Sequence, residues 1–328
     1  MSKKICSLII LLLSIKNYAQ QENKQQKKIT DSIIQNEFPR TRNFNLEFDN
    51  SFSRKYDSEL EDQQYSKGKI TNQQIVNFSL NLPIYNYKKW TFSTSGNYKN
   101  FQFEFDDEEN ISNPTVSNYK HTESYNYFLL SLNSTYYGSI FKKPLLYNGS
   151  IIADGNNKGF QRLKGSISAV VVLKKTDRIT MTAGLILFID PTSQIPLAPV
   201  FTYNERFKNS KWELDVILPQ RVSLRKTIGS KSRFTVGTFF GGENFYVDTN
   251  QSLLPSIYSY SQLKIDGGLI YEYKLSKTAI ITIQGGARKY ISNRLTEKQS
   301  TNSNYIYKNT QEMTGYINVG VSLNPFKS

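Results

Sequence analysis

The chain has one histidine, His121, with Glu123 and Ser124 just after it. A histidine near a serine and a carboxylate could serve a hydrolase. The spacing argues against that. Side chains alternate between the two faces of a strand, so Ser124 falls opposite His121. Glu123 shares the histidine's face but supplies no nucleophile. The one cysteine, Cys6, lies in the amino-terminal apolar stretch, which leaves no thiol further on for catalysis, disulfides or metal ligation. A single His is a poor basis for a transition-metal site, and no glycine-rich phosphate loop is present. Asp106, Asp107, Glu108 and Glu109 form an acidic run that could offer oxygen ligands to a divalent cation, bridging lipopolysaccharide; a solvated charge run is the simpler reading. The expectation is a non-enzyme with no cofactor.

A second group of charged residues is more informative. Arg206, Glu213, Asp215, Arg221, Arg225, Arg233, Lys264, Asp266, Glu272 and Arg288 all fall on the polar side of segments that alternate polar and apolar residues. If the Leu218-Pro219-Gln220 corner pairs residue 217 with 221, Glu213 stands opposite Arg225. These residues would either form an ion-pair network that stiffens an enclosed space or line a pore. Basic members outnumber acidic ones, so a pore lined by them should prefer anions.

The elements that position these charges are strands. Leu163, Gly165, Ile167, Ala169, Val171 and Leu173 share one parity, with Arg162, Lys164, Ser166 and Ser168 between them. Ile179 to Ile189, Trp212 to Leu218, Leu263 to Tyr273, Ala279 to Ala287 and Met313 to Leu323 repeat the pattern. Several runs are long enough to cross a bilayer at a tilt, about nine or more residues. Short connections at Pro83–Lys89, Phe141–Pro144, Lys174–Asp177, Lys208–Lys211, Gly229–Ser232 and Lys274–Ser276 alternate with longer ones at 54–69, 106–121, 154–160, 190–196, 242–257 and 292–310. The Pro219–Gln220 corner is the exception. This predicts an all-β fold: a single transmembrane antiparallel β-barrel of about fourteen strands, with short periplasmic turns and long outer loops. The number falls to twelve if Arg221–Lys226 and a neighbour do not form strands. Trp90 and Phe92 are even-numbered whereas Phe101, Phe103 and Phe105 are odd, which predicts a bulge near residues 99–100.

Lys3 and Lys4 precede the apolar run Ile5–Ile15, and Ala19 is followed by Gln20, the layout of an export signal cleaved near residue 20. Residues 21–40 read as a periplasmic leader, flexible or a short helix capped near Asp31 and Ser32, and residues 41–328 as the barrel. Formal charge is +14, and removing Lys3, Lys4 and Lys16 with the signal leaves about +11. The lysines are scattered through turns, so nucleic acid is not the expected partner.

The Ala19-Gln20 junction, the run Phe38-Pro39-Arg40-Thr41-Arg42-Asn43-Phe44-Asn45, the segment Ile195-Pro196-Leu197-Ala198-Pro199-Val200 and the Leu218-Pro219 corner together resemble an uncharacterised family of Bacteroidota outer-membrane β-barrel proteins. The resemblance implies fold and location, with outer-membrane lipid, lipopolysaccharide and the barrel assembly machinery as partners, and it carries over no activity. The chain departs from many barrels in that Lys327 and Ser328 follow Phe326. The leading expectation is a passive channel or transporter for small polar solutes. The alternative is a structural or interaction barrel acting through its outer loops.

Overall fold

The computed structural model describes residues 38–39, 41–110, 119–248, 257–298, 300–301 and 303–326. The export signal and nearly all of the leader lie outside the described residues. Sixteen strand segments form one antiparallel sheet: β1 (Phe44–Ser51), β2 (Arg54–Leu60), β3 (Gln63–Tyr87), β4 (Trp90–Asn110), β5 (Tyr119–Ile140), β6 (Lys143–Asn156), β7 (Gly159–Lys175), β8 (Ile179–Ile189), β9 (Leu197–Arg206), β10 (Trp212–Leu218), β11 (Arg221–Ile228), β12 (Ser232–Asp248), β13 (Ile257–Lys274), β14 (Ala279–Glu297), β15 (Tyr305–Gln311) and β16 (Thr314–Leu323).

From β2 to β15 each segment pairs with the next in sequence, and β1 pairs with both β3 and β16, which closes the ring. β1 and β2 are the two halves of one stave, broken at Phe52 and Ser53, and both pair with β3. β15 and β16 are the halves of another, and both pair with β14. The ring therefore has fourteen staves, as the alternation of short and long connections predicts. Closure leaves no sheet edge along the seam.

The short turns lie where expected, and left-handed backbone at Lys88, Phe141, Lys142, Asn209 and Gly229 tightens four of them. Most of the expected long loops are instead extensions of the wall. Residues 54–69 form β2, a two-residue turn at Glu61 and Asp62, and the start of β3. The 106–121 region is strand up to Asn110 and again from Tyr119, so His121 belongs to β5 rather than to a loop edge. The 154–160 connection is a tight hairpin, and the 242–257 and 292–310 connections are shortened by β12 to β15. Polar residues sustain these extensions because backbone pairing needs no apolar side chain. Residues 190–196 do form a loop.

The expected bulge at residues 99–100 is absent: pairing of β3 with β4 runs unbroken from Gly96 to Phe103. The change of parity has another cause. Trp90 and Phe92 are exposed on the outer wall, whereas Phe101 and Phe103 are buried inside the ring. The strand keeps its register, and its aromatic residues change from the outer face to the inner.

Outward residues form an exposed apolar belt that includes Phe48, Phe78, Leu130, Ile151, Ile167, Leu187, Val236, Leu269 and Val319. The charged interior alternates with it residue by residue.

Candidate functional site: a closed, charged lumen

The site is the interior of the ring, and its charges are stacked in layers. At the short-turn end, Arg233 on β12 and Glu272 on β13 are direct cross-strand partners, with Nε to Oε2 at 2.5 Å and Nη2 to Oε1 at 2.8 Å. Arg42 donates to the same carboxylate at 2.6 Å. Phe38, buried, sits beneath the Arg233 guanidinium and the Lys274 ammonium, whose charged groups lie 4.6 and 4.7 Å from its ring centroid. Cations over an aromatic face hold the start of the described chain in the lumen floor.

Two networks occupy the middle. Arg288 on β14 is 1% exposed and forks onto two carboxylates: Asp266 at 2.7 and 2.8 Å, and Asp49 at 2.5 and 2.9 Å. Its guanidinium also lies 4.3 Å from the Tyr316 ring centroid. On the other wall, residue 217 pairs with 221 and Glu213 with Arg225, as the corner predicts. The closer ion pair is nevertheless diagonal: Asp215 accepts from Arg225 and from Arg221 Nε at 2.7 Å, while Glu213 lies 3.8 Å from Arg225. Asp215 is the shorter side chain, yet it sits between the two arginines.

The upper layer bridges the ring. Glu243 on β12 takes Lys264 from the adjacent strand at 3.2 Å, and Lys99 from β4 on the far wall. Just above, Phe245 packs on Phe101 and Tyr125 with ring centroids 4.7 and 4.8 Å apart. Tyr246 and Tyr127 both donate to Asp154 of β6 at 2.8 Å.

The bridge exists because the end of β12 and the start of β13 leave the wall. Tyr258, Ser259, Tyr260, Ser261 and Gln262 are all buried, although successive side chains of a strand point in opposite directions. A wall strand has one covered face; this one has two. Pairing of β11 with β12 stops at Phe239, and the last bond is Phe240 N to Gln220 O at 2.8 Å. Beyond it the β12–β13 end turns inward and lies against β5 and β6. The 190–196 loop reaches over the gap, with Gln194 Nε2 donating to Ser261 O at 3.2 Å and Oγ at 2.9 Å.

Beneath the bridge is a cavity of about 190 Å³, with Glu47, Asp49, Glu243, Asp266, Lys99, Lys264 and Arg288 among its lining residues. No protein-family model and no curated protein sequence matches the chain. Among solved structures it is similar to the outer membrane protease OmpT from Escherichia coli, with 9% identity over 86% of this chain and 96% of that one and a TM-score of 0.29. It is similar to the transport unit of the autotransporter AIDA-I from Escherichia coli, with 10% identity, 94% and 100% coverage and a TM-score of 0.35. A third is the Pseudomonas putida toluene transporter TodX, with 7% identity, 90% and 92% coverage and a TM-score of 0.35. At such identities and scores nothing about the site transfers from them.

Of the ten charged residues singled out from the sequence, Asp215, Arg225, Arg233, Lys264, Asp266, Glu272 and Arg288 are buried in these networks. Glu213 and Arg221 are half-buried beside them, and Arg206 is exposed at the end of β9. Asp49, Lys99, Asp154 and Glu243 escaped notice. Alternation marks the face a residue occupies, and nothing in it reveals a partner across the ring. His121 lies on the inner side of β5, its ring stacked on Phe105 with centroids 4.9 Å apart. Glu123 accepts from Tyr125 at 3.4 Å, and Ser124 lies on the other face. In the acidic run Asp106 pairs with Lys120 at 3.7 Å; the side chains of Asp107, Glu108 and Glu109 lie outside the described residues. Among the described residues no group of three or more metal-ligating side chains converges.

Proposed function

We propose that this chain is an outer-membrane β-barrel channel for small polar solutes, held closed by its own wall. A closed ring with an apolar exterior belt and a polar interior suits lipid outside and water within. Eight-stranded barrels are filled by side chains, whereas fourteen staves enclose room for a path. The observation that carries the proposal is the inward turn of β12–β13, which obstructs the lumen above a charged cavity. The obstruction is a strand end held by side-chain contacts, so displacing it would open the lumen without unfolding the ring.

The cavity carries four carboxylates, Glu47, Asp49, Glu243 and Asp266, against the cations Lys99, Lys264 and Arg288. Passage through it therefore favours cations, the reverse of the preference that the sequence suggests. No catalytic role is assigned to His121.

Single-channel recording of the refolded protein in a planar bilayer tests this. Brief cation-selective openings are expected, made longer and more frequent by Phe245→Ala. A folded Phe245→Ala barrel that stays silent would overturn the channel and favour a structural barrel. That second reading draws on the extent of ion pairing in the lumen, where Arg288 bridges Asp49 and Asp266.

A further inference from the structure

The inward turn of β12 leaves a mark on the outer wall. β10 and β11 are 7 and 8 residues long, beside a β12 of 17. Their corner at Pro219 and Gln220 therefore ends well below the neighbouring strands. A crevice of about 260 Å³ lies at this step, lined by Ile195, Pro219, Val222, Phe240 and Ile265, together with Thr238 and Arg221. Val222, Thr238 and Ile265 belong to the outward face of the wall. Ile195 comes from the loop that spans the gap, so the crevice is roofed by 190–196 and floored by the corner.

Arg221 is the exception in this apolar lining. Its alternation with Val222 turns it toward the lumen, where Nε is committed to Asp215 at 2.7 Å. The guanidinium offers five N–H donors, and Nε carries one of them. Arg221 is nevertheless among the residues that line the crevice. An apolar slot open to the belt, with one arginine in its lining, has the polarity of an amphiphile: an alkyl chain along Val222, Phe240 and Ile265, and an oxyanion at Arg221.

We propose that this crevice is a binding site for a membrane lipid with a phosphate head, one acyl chain occupying the slot and the phosphate meeting Arg221. The proposal rests on the barrel lying in a membrane and not on its conducting. Shape and chemistry both support it. The step is where the wall loses a strand pair, and lipid is the medium that meets the belt there. The guanidinium pairs geometrically with phosphate, two donors to two oxygens.

Native mass spectrometry of the refolded barrel tests the site, with dodecyl phosphate, dodecyl maltoside and inorganic phosphate as probes. One retained dodecyl phosphate is expected, with dodecyl maltoside retained at least tenfold less and inorganic phosphate not at all. Thr238→Trp, which fills the slot from the outer face, and Arg221→Gln, which removes the cation, should each lower retention at least tenfold. Heat-modifiable gel mobility confirms that each variant is folded; Thr238→Trp leaves the lumen ion pairs in place, so it keeps the test valid if Arg221→Gln fails to fold. Equal retention of dodecyl phosphate in wild type and Thr238→Trp, no retention by the folded wild type, or binding of inorganic phosphate alone would each overturn the proposal. Retention by a barrel that is silent in bilayers would uphold the site while removing the channel reading.

Discussion

Phe101 and Phe245 pack with tilted rings, centroids 4.7 Å apart, although their strands, β4 and β12, stand six staves from each other around a ring of fourteen. Residues that far round a closed barrel face each other across its lumen. Their contact shows that the ring is pinched rather than open at this height. Lys99 and Glu243, two residues earlier on the same strands, make the pinch ionic as well as apolar.

Phe245→Ala should therefore loosen the bridge more than any substitution on the outer belt. Truncating a buried Phe costs about 3–5 kcal/mol, and the loss falls on the docking of β12–β13 rather than on the ring. Hydrogen exchange should rise in residues 243–248 and 257–262 and stay unchanged in β8 and β9, beyond the β5 and β6 strands that the bridge lies against. A uniform rise throughout the barrel would contradict a separable bridge.

Arg288→Met should be strongly destabilising, because it removes the cation that hydrogen-bonds both buried carboxylates, Asp49 and Asp266. Breaking one partner of a buried ionic set costs about 3–5 kcal/mol. Adding Asp49→Asn and Asp266→Asn should recover part of that loss. Denaturant unfolding in detergent, followed by tryptophan fluorescence, measures both; a triple variant no more stable than Arg288→Met would refute the arrangement.

Asp215→Asn should cost more than Glu213→Gln. Asp215 accepts from two arginines and is 1% exposed, whereas Glu213 is half-buried and 3.8 Å from Arg225. Hydrogen bonds to charged groups contribute about 1.5–3 kcal/mol each, so the two variants should differ by at least one such bond. Equal unfolding midpoints would instead support the direct cross-strand pair.

The 190–196 loop should release in acid. Burial raises the affinity of Asp190 for a proton, but Lys164 at 3.0 Å and the bonds from Thr192 outweigh it and hold the carboxyl below its ordinary value. A lowered folded-state value stabilises the folded loop above the unfolded pKa, about 3.9, and that contribution is lost as pH falls through the folded value. A fluorophore on Ser193→Cys should keep constant anisotropy from neutral pH down to about pH 4, the ordinary aspartate range, and become mobile only in stronger acid. Release already between about pH 7 and pH 5, or the same profile in Asp190→Asn, would contradict this.

Much of the ring was legible because period-two alternation and turn spacing are local. The Glu213 and Arg225 register followed from one proline corner, since a two-residue turn leaves a single pairing. The inward bend was not legible. Its trace in the sequence is the run Tyr258, Ser259, Tyr260, Ser261, Gln262, where large aromatics alternate with small polar residues near a strand end. That pattern suits a wall strand equally well, and burial on both faces depends on what lies across the ring. The odd-numbered phenylalanines of β4 misled for the same reason: an apolar face was read as the outer face, when an aromatic pinch had drawn it inside.

The seam between β1–β2 and β15–β16 places the two ends of the described barrel side by side, with Phe44 and Phe326 rings 6.5 Å apart. No stave is special once the ring is shut. A circularly permuted chain, with its ends joined by a short linker and reopened at the Phe141–Lys142 turn, has every neighbour relation of the original. What permutation alters is the order in which staves emerge during synthesis, and hence which pair must wait for the last residue before it can form.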